Sequence, residues 1–139
     1  MKFFKPASIL AVMVVLAGCV IEELPVEPTT PDIPDMPGGQ FDGVYRLVDI
    51  DGNQIPGNAS LVIAGNSMHG EGPCNSFTSQ NDAKWPKVSL TVASTMRACI
   101  TEGGEGLFFE ALNDATVARM RNGNLEFSGP SHSMMFESD

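Results

Sequence analysis

The sequence predicts an α+β domain dominated by strands: a curved antiparallel sheet, or a partly open barrel, with one helix packed against it. Three observations predict this class. From residue 45 onward, short apolar runs alternate with turn dipeptides. Two of those dipeptides, Gly65-Asn66 and Asn122-Gly123, have the length and residue types of two-residue hairpin loops. Only one stretch carries a helical period, so the helix has a sheet to cover and no helical partner.

The elements follow in chain order. Lys2 and Lys5 precede an uncharged apolar stretch from Pro6 to Gly18. Residues 1–18 therefore read as a secretory signal, too short for the roughly 20 apolar residues that a membrane span needs. The stretch ends in Leu16-Ala17-Gly18-Cys19. That run resembles the lipobox of bacterial lipoproteins, in which the cysteine is acylated and becomes the first residue of the mature chain. The resemblance implies that Cys19 is the lipidation site and that the mature protein is tethered to a membrane by its acyl chains. Val20, not aspartate, follows the cysteine, which by analogy with enterobacterial sorting implies the outer membrane, on its periplasmic side.

Residues 19–40 form a linker. Pro25, Pro28, Pro31, Pro34 and Pro37 recur every third residue, with Glu22, Glu23, Glu27, Asp32 and Asp35 among them. Polyproline II has three residues per turn, so the prolines would line one edge of an extended rod, and the acidic side chains repel one another along it. Gly38-Gly39 marks its end, and residues 41–139 are the folded domain. Charge narrows the partners. Seventeen acidic residues face eight basic ones, and without Lys2 and Lys5 the excess of negative charge is eleven. Such a balance argues against nucleic acid and against lying flat on anionic lipid. Membrane contact is expected through the anchor alone, with an envelope protein or a lipid as the possible further partner.

Within the domain, strands are expected at 45–50, 60–64 and 67–71, the last two flanking Gly65-Asn66. Val88, Leu90 and Val92 alternate with Ser89 and Thr91, predicting a strand over 88–92 with one wet face. Strands at 116–121, 124–128 and 132–137 close the chain as a meander through Asn122-Gly123 and Gly129-Pro130. Met134 and Met135 occupy adjacent strand positions, so they cannot both face inward. The helix is expected over 105–115, with Leu107, Phe108, Ala111, Leu112 and Ala115 on one stripe and Glu110, Asn113 and Asp114 facing away. Glu102 and Glu105 suit the positive end of its dipole. Trp85 reads as a core anchor before a stacking platform, because a large aromatic ring gains most when buried.

Once Cys19 is set aside, two thiols remain, Cys74 and Cys99. Three states compete for them. In an oxidising envelope compartment an even remainder favours a disulfide, worth about 3–4 kcal/mol for a loop of this length in the chain-entropy model. A metal site would need both cysteines and both histidines, His69 and His132, to converge, and the paired spacings of zinc sites are absent. A catalytic Cys74 would need a nearby base and an oxyanion hole. His69 lies five residues back on a predicted strand, and Pro73 removes an amide donor where an anion would be received. The disulfide is the favoured state, and no cofactor and no metal are expected. The turn containing Gly70, Gly72, Asn75 and Phe77 is the candidate binding surface.

Three motifs then suggest a family. Cys74-Asn75-Ser76-Phe77, Thr95-Met96-Arg97-Ala98-Cys99 and Glu105-Gly106-Leu107-Phe108 resemble, in order and spacing, the motifs of the META domain of HslJ-like bacterial lipoproteins. The resemblance covers about residues 41 to 137. Pro73 stands where the family usually has glycine, and Tyr45 where tryptophan is common. What the resemblance implies is a small β-rich domain, often lipid-anchored in the outer membrane, linked to envelope stress and to antibiotic or heat tolerance, with no enzymatic activity. Its sheet also resembles the cracked barrel of secretin pilotins, which bind a lipid tail. A pilotin-like lipid or peptide binder is thus the alternative function, and it requires an interior not filled by Trp85, Phe108, Leu112 and Phe136. A cysteine-dependent enzyme is the remaining alternative.

Overall fold

The computed structural model describes residues 38–100 and 102–139. The expected signal at 1–18, the lipidation residue Cys19 and the proline segment through residue 37 lie outside the described residues. After a short 3-10 turn at Gly38–Gln40, the chain forms β1 (Gly43–Ile50), β2 (Ser60–Ala64), β3 (Ser67–Glu71), β4 (Ser76–Asn81), β5 (Leu90–Ser94), α1 (Glu105–Asp114), β6 (Val117–Arg121), β7 (Asn124–Ser128) and β8 (Ser133–Ser138). All eight strands belong to one antiparallel sheet in the order β5-β4-β3-β2-β1-β8-β7-β6. The sheet curls into a half-barrel, the β-rich α+β architecture the residue pattern predicts.

Local chemistry sets the turns. Asn122 and Gly123 both have positive φ, 53° and 84°, as a two-residue primed turn demands. They bring Arg121 opposite Asn124 and fix the β6–β7 register. Gly65, at φ 61°, does the same between Ala64 and Ser67. The register between β1 and β8 shifts between Leu47 and Asp49, and an extra residue of this kind bends a strand and increases its twist.

Alternation does the rest. Tyr45, Leu61, Ile63, Met68, Phe77, Leu125, Phe127, Met134 and Phe136 turn inward and are buried, with Phe108, Ala111 and Leu112 of α1 packed into the same cluster. Met134 is buried and its neighbour Met135 only partly so, as their alternation requires. Trp85, Phe108, Leu112 and Phe136 all lie in this core, so the interior that a lipid-holding barrel would keep open is packed with side chains. Trp85 stacks on Phe41 with ring centroids 4.8 Å apart, and its indole N–H donates to the Gly65 carbonyl at 3.0 Å.

Two elements differ from the expectation. The strand expected over 88–92 begins at Leu90, because Val88 is committed to another partner: its amide donates to the Thr116 carbonyl at 2.8 Å. Lys87 bridges Val117, and the Ala118 amide donates to the Pro86 carbonyl at 2.8 Å. Residues 86–88 thus form a seam along the first half of β6. The second difference is β4, which has no counterpart in the hydrophobic pattern. Its inward residues are Phe77, Ser79 and Asn81, two of them polar. Asn81 is affordable there because its side chain donates to the Lys87 carbonyl and accepts from the Ala83 and Ser89 amides.

Candidate functional site: the disulfide corner

Three segments meet at one corner: the turn before β4, the chain leaving β5, and the start of α1. Cys74 and Cys99 are joined there as a disulfide with Cα atoms 5.9 Å apart, within the usual span for this bond. Beside it, Asn75 is only 7% exposed and acts as the hub. Its side-chain oxygen accepts from the Arg97 amide at 2.7 Å and the Thr95 hydroxyl at 2.9 Å. The Arg97 guanidinium returns a hydrogen bond to the Cys74 carbonyl at 2.8 Å. One short polar side chain therefore fastens the 72–75 turn to the 95–97 segment.

Glu105, the first residue of α1, closes the corner from the third side. Its carboxylate accepts the Cys74 amide at 2.7 Å and the Asn75 amide at 3.1 Å. Both donors would otherwise be left unpaired beside the core, and a charged acceptor strengthens each bond. The same side chain sits at the helix N-terminus, where the macrodipole favours an anion. Gly104 precedes it at φ 84°, and a Cβ there would lie 2.9 Å from the Ile55 side chain. Glycine thus permits both the backbone turn and the close packing.

The residues expected to form a contact surface are placed differently from one another. Phe77 is 3% exposed and packs against Phe108 and Phe109 at centroid distances of 5.6 and 5.8 Å. Gly72 and Asn75 are buried as well. These three are corrected from surface to scaffold: strand alternation turns Phe77 inward, hydrogen bonds hold the Asn75 side chain, and Gly72 donates its amide to the Asn75 carbonyl where a Cβ would come within 3.1 Å of the Glu105 carboxylate. Gly70 pairs with Leu61 on one side and Phe77 on the other. A Cβ at Gly70 would come within 2.0 Å of the Ser60 carbonyl oxygen and 3.0 Å of the Phe77 ring, so the missing side chain makes room for its neighbours. What the corner does present is the stretch after β5. Met96 and Ile100 are exposed along their whole length, and Met96, Arg97, Glu105 and Phe109 line an open cleft beside Asn75.

Neither histidine stands at the corner. His69 is exposed on β3 opposite Val62 and Thr78. His132 belongs to a separate cluster. Its Nδ1 lies 2.7 Å from Asp51 and its Nε2 3.6 Å from Glu110 of α1. Asp51 also accepts the Ser133 amide, and Asp114 accepts the amides of Ser131 and His132, each at 2.7 to 2.8 Å. The hydrogen bond that His132 donates to the Asp51 carboxylate raises the His132 pKa above its ordinary value. His132 and the Ser133 amide hold Asp51 below its own, and the two amides do the same for Asp114. Sequence spacing gave no sign of this cluster, whose members come from the β1–β2 turn, the helix and the β7–β8 loop. Among the described residues, no three His, Cys, Asp or Glu side chains converge as a metal site, and no helix is long and apolar enough to cross a membrane.

Comparison with known proteins adds two findings. The META domain family matches residues 40–139. An NMR structure of a protein from Burkholderia xenovorans is similar at a TM-score of 0.56 with 20% identity, covering 86% of this chain and 99% of that one. At that identity the likeness concerns the fold. No curated protein matches the chain.

Proposed function

The chain belongs to the META domain family, and from that premise we propose that it is an HslJ-like lipoprotein: a lipid-anchored envelope protein whose domain at 41–139 is a non-enzymatic binding or stabilising module. The observation that carries the anchoring is Leu16-Ala17-Gly18-Cys19 at the end of an apolar run with basic residues before it. In this reading Cys19 takes the acyl groups, the acidic proline segment holds the domain off the bilayer, and the domain faces the periplasm from the outer membrane. The disulfide corner suits an oxidising compartment. A role in envelope stress or in antibiotic or heat tolerance follows from the family.

The non-enzymatic reading is supported by how the corner uses its groups. Asn75, Arg97 and Glu105 bond to one another's segments, and the sulfurs bond to each other, so the features that would serve a thiol nucleophile serve the fold. Expression in a Gram-negative host with an alkyne-tagged fatty acid tests the anchor. The chain should carry the label and sediment with outer membranes, whereas Cys19→Ala should carry none and remain unprocessed. An unlabelled wild-type chain recovered in the soluble periplasmic fraction would overturn the proposal.

A further inference from the structure

The seam along β6 stops at Ala118, and beyond it the wall of the half-barrel opens into a hollow of about 310 Å³ lined by Phe41, Pro86, Val117, Ala118, Arg119 and Met120, with Gln40 at its rim. That volume is at the lower end of what small-molecule sites occupy, and the walls are apolar with one cation, the usual composition of such sites. The charge around it is unusual for this protein. The chain has a net charge of −9, yet of the six Lys and Arg residues in the domain, four (Lys84, Lys87, Arg119 and Arg121) fall on β6 or on the turn that builds the seam. Arg121 is taken by Glu126, and Asp42, next to Phe41, accepts the Gly65 amide. Lys87 and Arg119 have no side-chain partner among the described residues. Lys87 pairs with Val117 across the seam, two positions from Arg119, so both exposed cations stand on the outer face beside the apolar opening.

We infer that this hollow binds a single-chain amphiphile with an anionic head, the chain lying against Phe41, Pro86, Val117 and Met120 and the head meeting Arg119 and Lys87. An apolar wall alone would take any greasy chain. Two unpartnered cations at the rim of an acidic protein select the anion, since the surrounding negative field disfavours anions elsewhere on the surface. The inference rests on the binding-module reading and is independent of the anchor.

The test uses the processed chain from residue 19 onward with Cys19→Ser, so that no acyl group is attached. Straight-chain alkyl carboxylates, alkyl phosphates and alkyltrimethylammonium ions of eight to fourteen carbons are titrated below their micelle concentrations. Binding is read by calorimetry and by the emission of Trp85, the only tryptophan, which stacks on the hollow's Phe41. Carboxylate or phosphate should bind with affinity rising roughly four-fold per added methylene until the hollow is full, and the two head groups distinguish a fatty acid from a phospholipid-type source. The ammonium series should bind at least ten-fold more weakly. Arg119→Gln and Lys87→Gln should each lower affinity for the anions about three- to five-fold, as suits partly exposed ion pairs. Amide shifts should concentrate at Phe41 and Val117 to Met120. The inference is overturned by equal affinity for the cationic series, by affinity indifferent to both substitutions, by shifts centred elsewhere, or by no binding of any anion. None of these outcomes touches the acyl-labelling result on which the anchor depends.

Discussion

Asn75 shows how much of this domain depends on single polar atoms. Its side-chain oxygen receives a main-chain amide and a hydroxyl from the stretch that follows β5, and removing it leaves both without that acceptor. Asn75→Ala should cost roughly 2–3 kcal/mol, read as a lower denaturation midpoint at unchanged slope. Asn75→Asp keeps an acceptor but sets a second carboxylate beside Glu105, and should recover only part of the loss. Cys99→Ala opens a loop of 25 residues and should cost about 3–4 kcal/mol. The native, unreduced protein should give no thiol titre at Cys74 or Cys99 with a maleimide reagent. Stoichiometric labelling there in the folded state would mean that the corner is open, and the scaffold reading would fail with it.

At the level of elements, legibility followed the source of the signal. The hairpins at Gly65-Asn66 and Asn122-Gly123 are written in local chemistry, because positive φ restricts which residues can stand there. The helix is written in the spacing of Phe108, Ala111 and Leu112. By contrast, β4 was illegible as a strand, since Ser79 and Asn81 face inward where the period of two calls for apolar residues, and what makes Asn81 tolerable is the way the following 83–89 segment folds back onto its side chain. The seam at 86–88 was hidden for the same reason: Val88 looks like the start of β5 until Thr116 is seen to claim its amide. In the candidate site, the residues were found but their direction was not. Cys74, Asn75, Phe77 and Glu105 belong to motifs that resemble a family, and motifs alone do not separate a scaffold from a contact surface. Glu105 gives a test at this scale. Glu105→Ala leaves the amides of Cys74 and Asn75 without their charged acceptor and should destabilise by about 2–3 kcal/mol. Amide exchange at Cys74 and Asn75 should accelerate while α1 itself persists. Fast exchange throughout α1 instead would show that Glu105 nucleates the helix and does not merely dock it.

For the whole molecule, the cluster around His132 ties together the β1–β2 turn, α1 and the loop into β8, and it titrates. His132 has a raised pKa, so its contribution is complete below its unfolded value of about 6.5 and is lost as pH climbs through the folded one. Asp51 and Asp114 have lowered pKa values, so theirs is present above about 3.9 and fades as pH falls through the folded ones. Together these groups predict a plateau of melting temperature between about pH 4 and 6.5, with a decline on either side. His132→Asn should flatten the alkaline limb and reduce the acid limb to the part that the Ser131, Ser133 and residue-132 amides sustain at Asp114 and Asp51, as scanning calorimetry across pH 3 to 9 would read. An unchanged alkaline limb would assign that titration elsewhere.

The seam has one more consequence. A sheet margin with free amides and carbonyls invites a strand from another molecule, and under the proposed anchoring copies of this chain would meet one another far more often than in free solution. By laying Pro86 to Val88 against the first half of β6, and spending on that margin a proline with no amide to offer, the fold denies a crowded neighbour the template it would need to zip on.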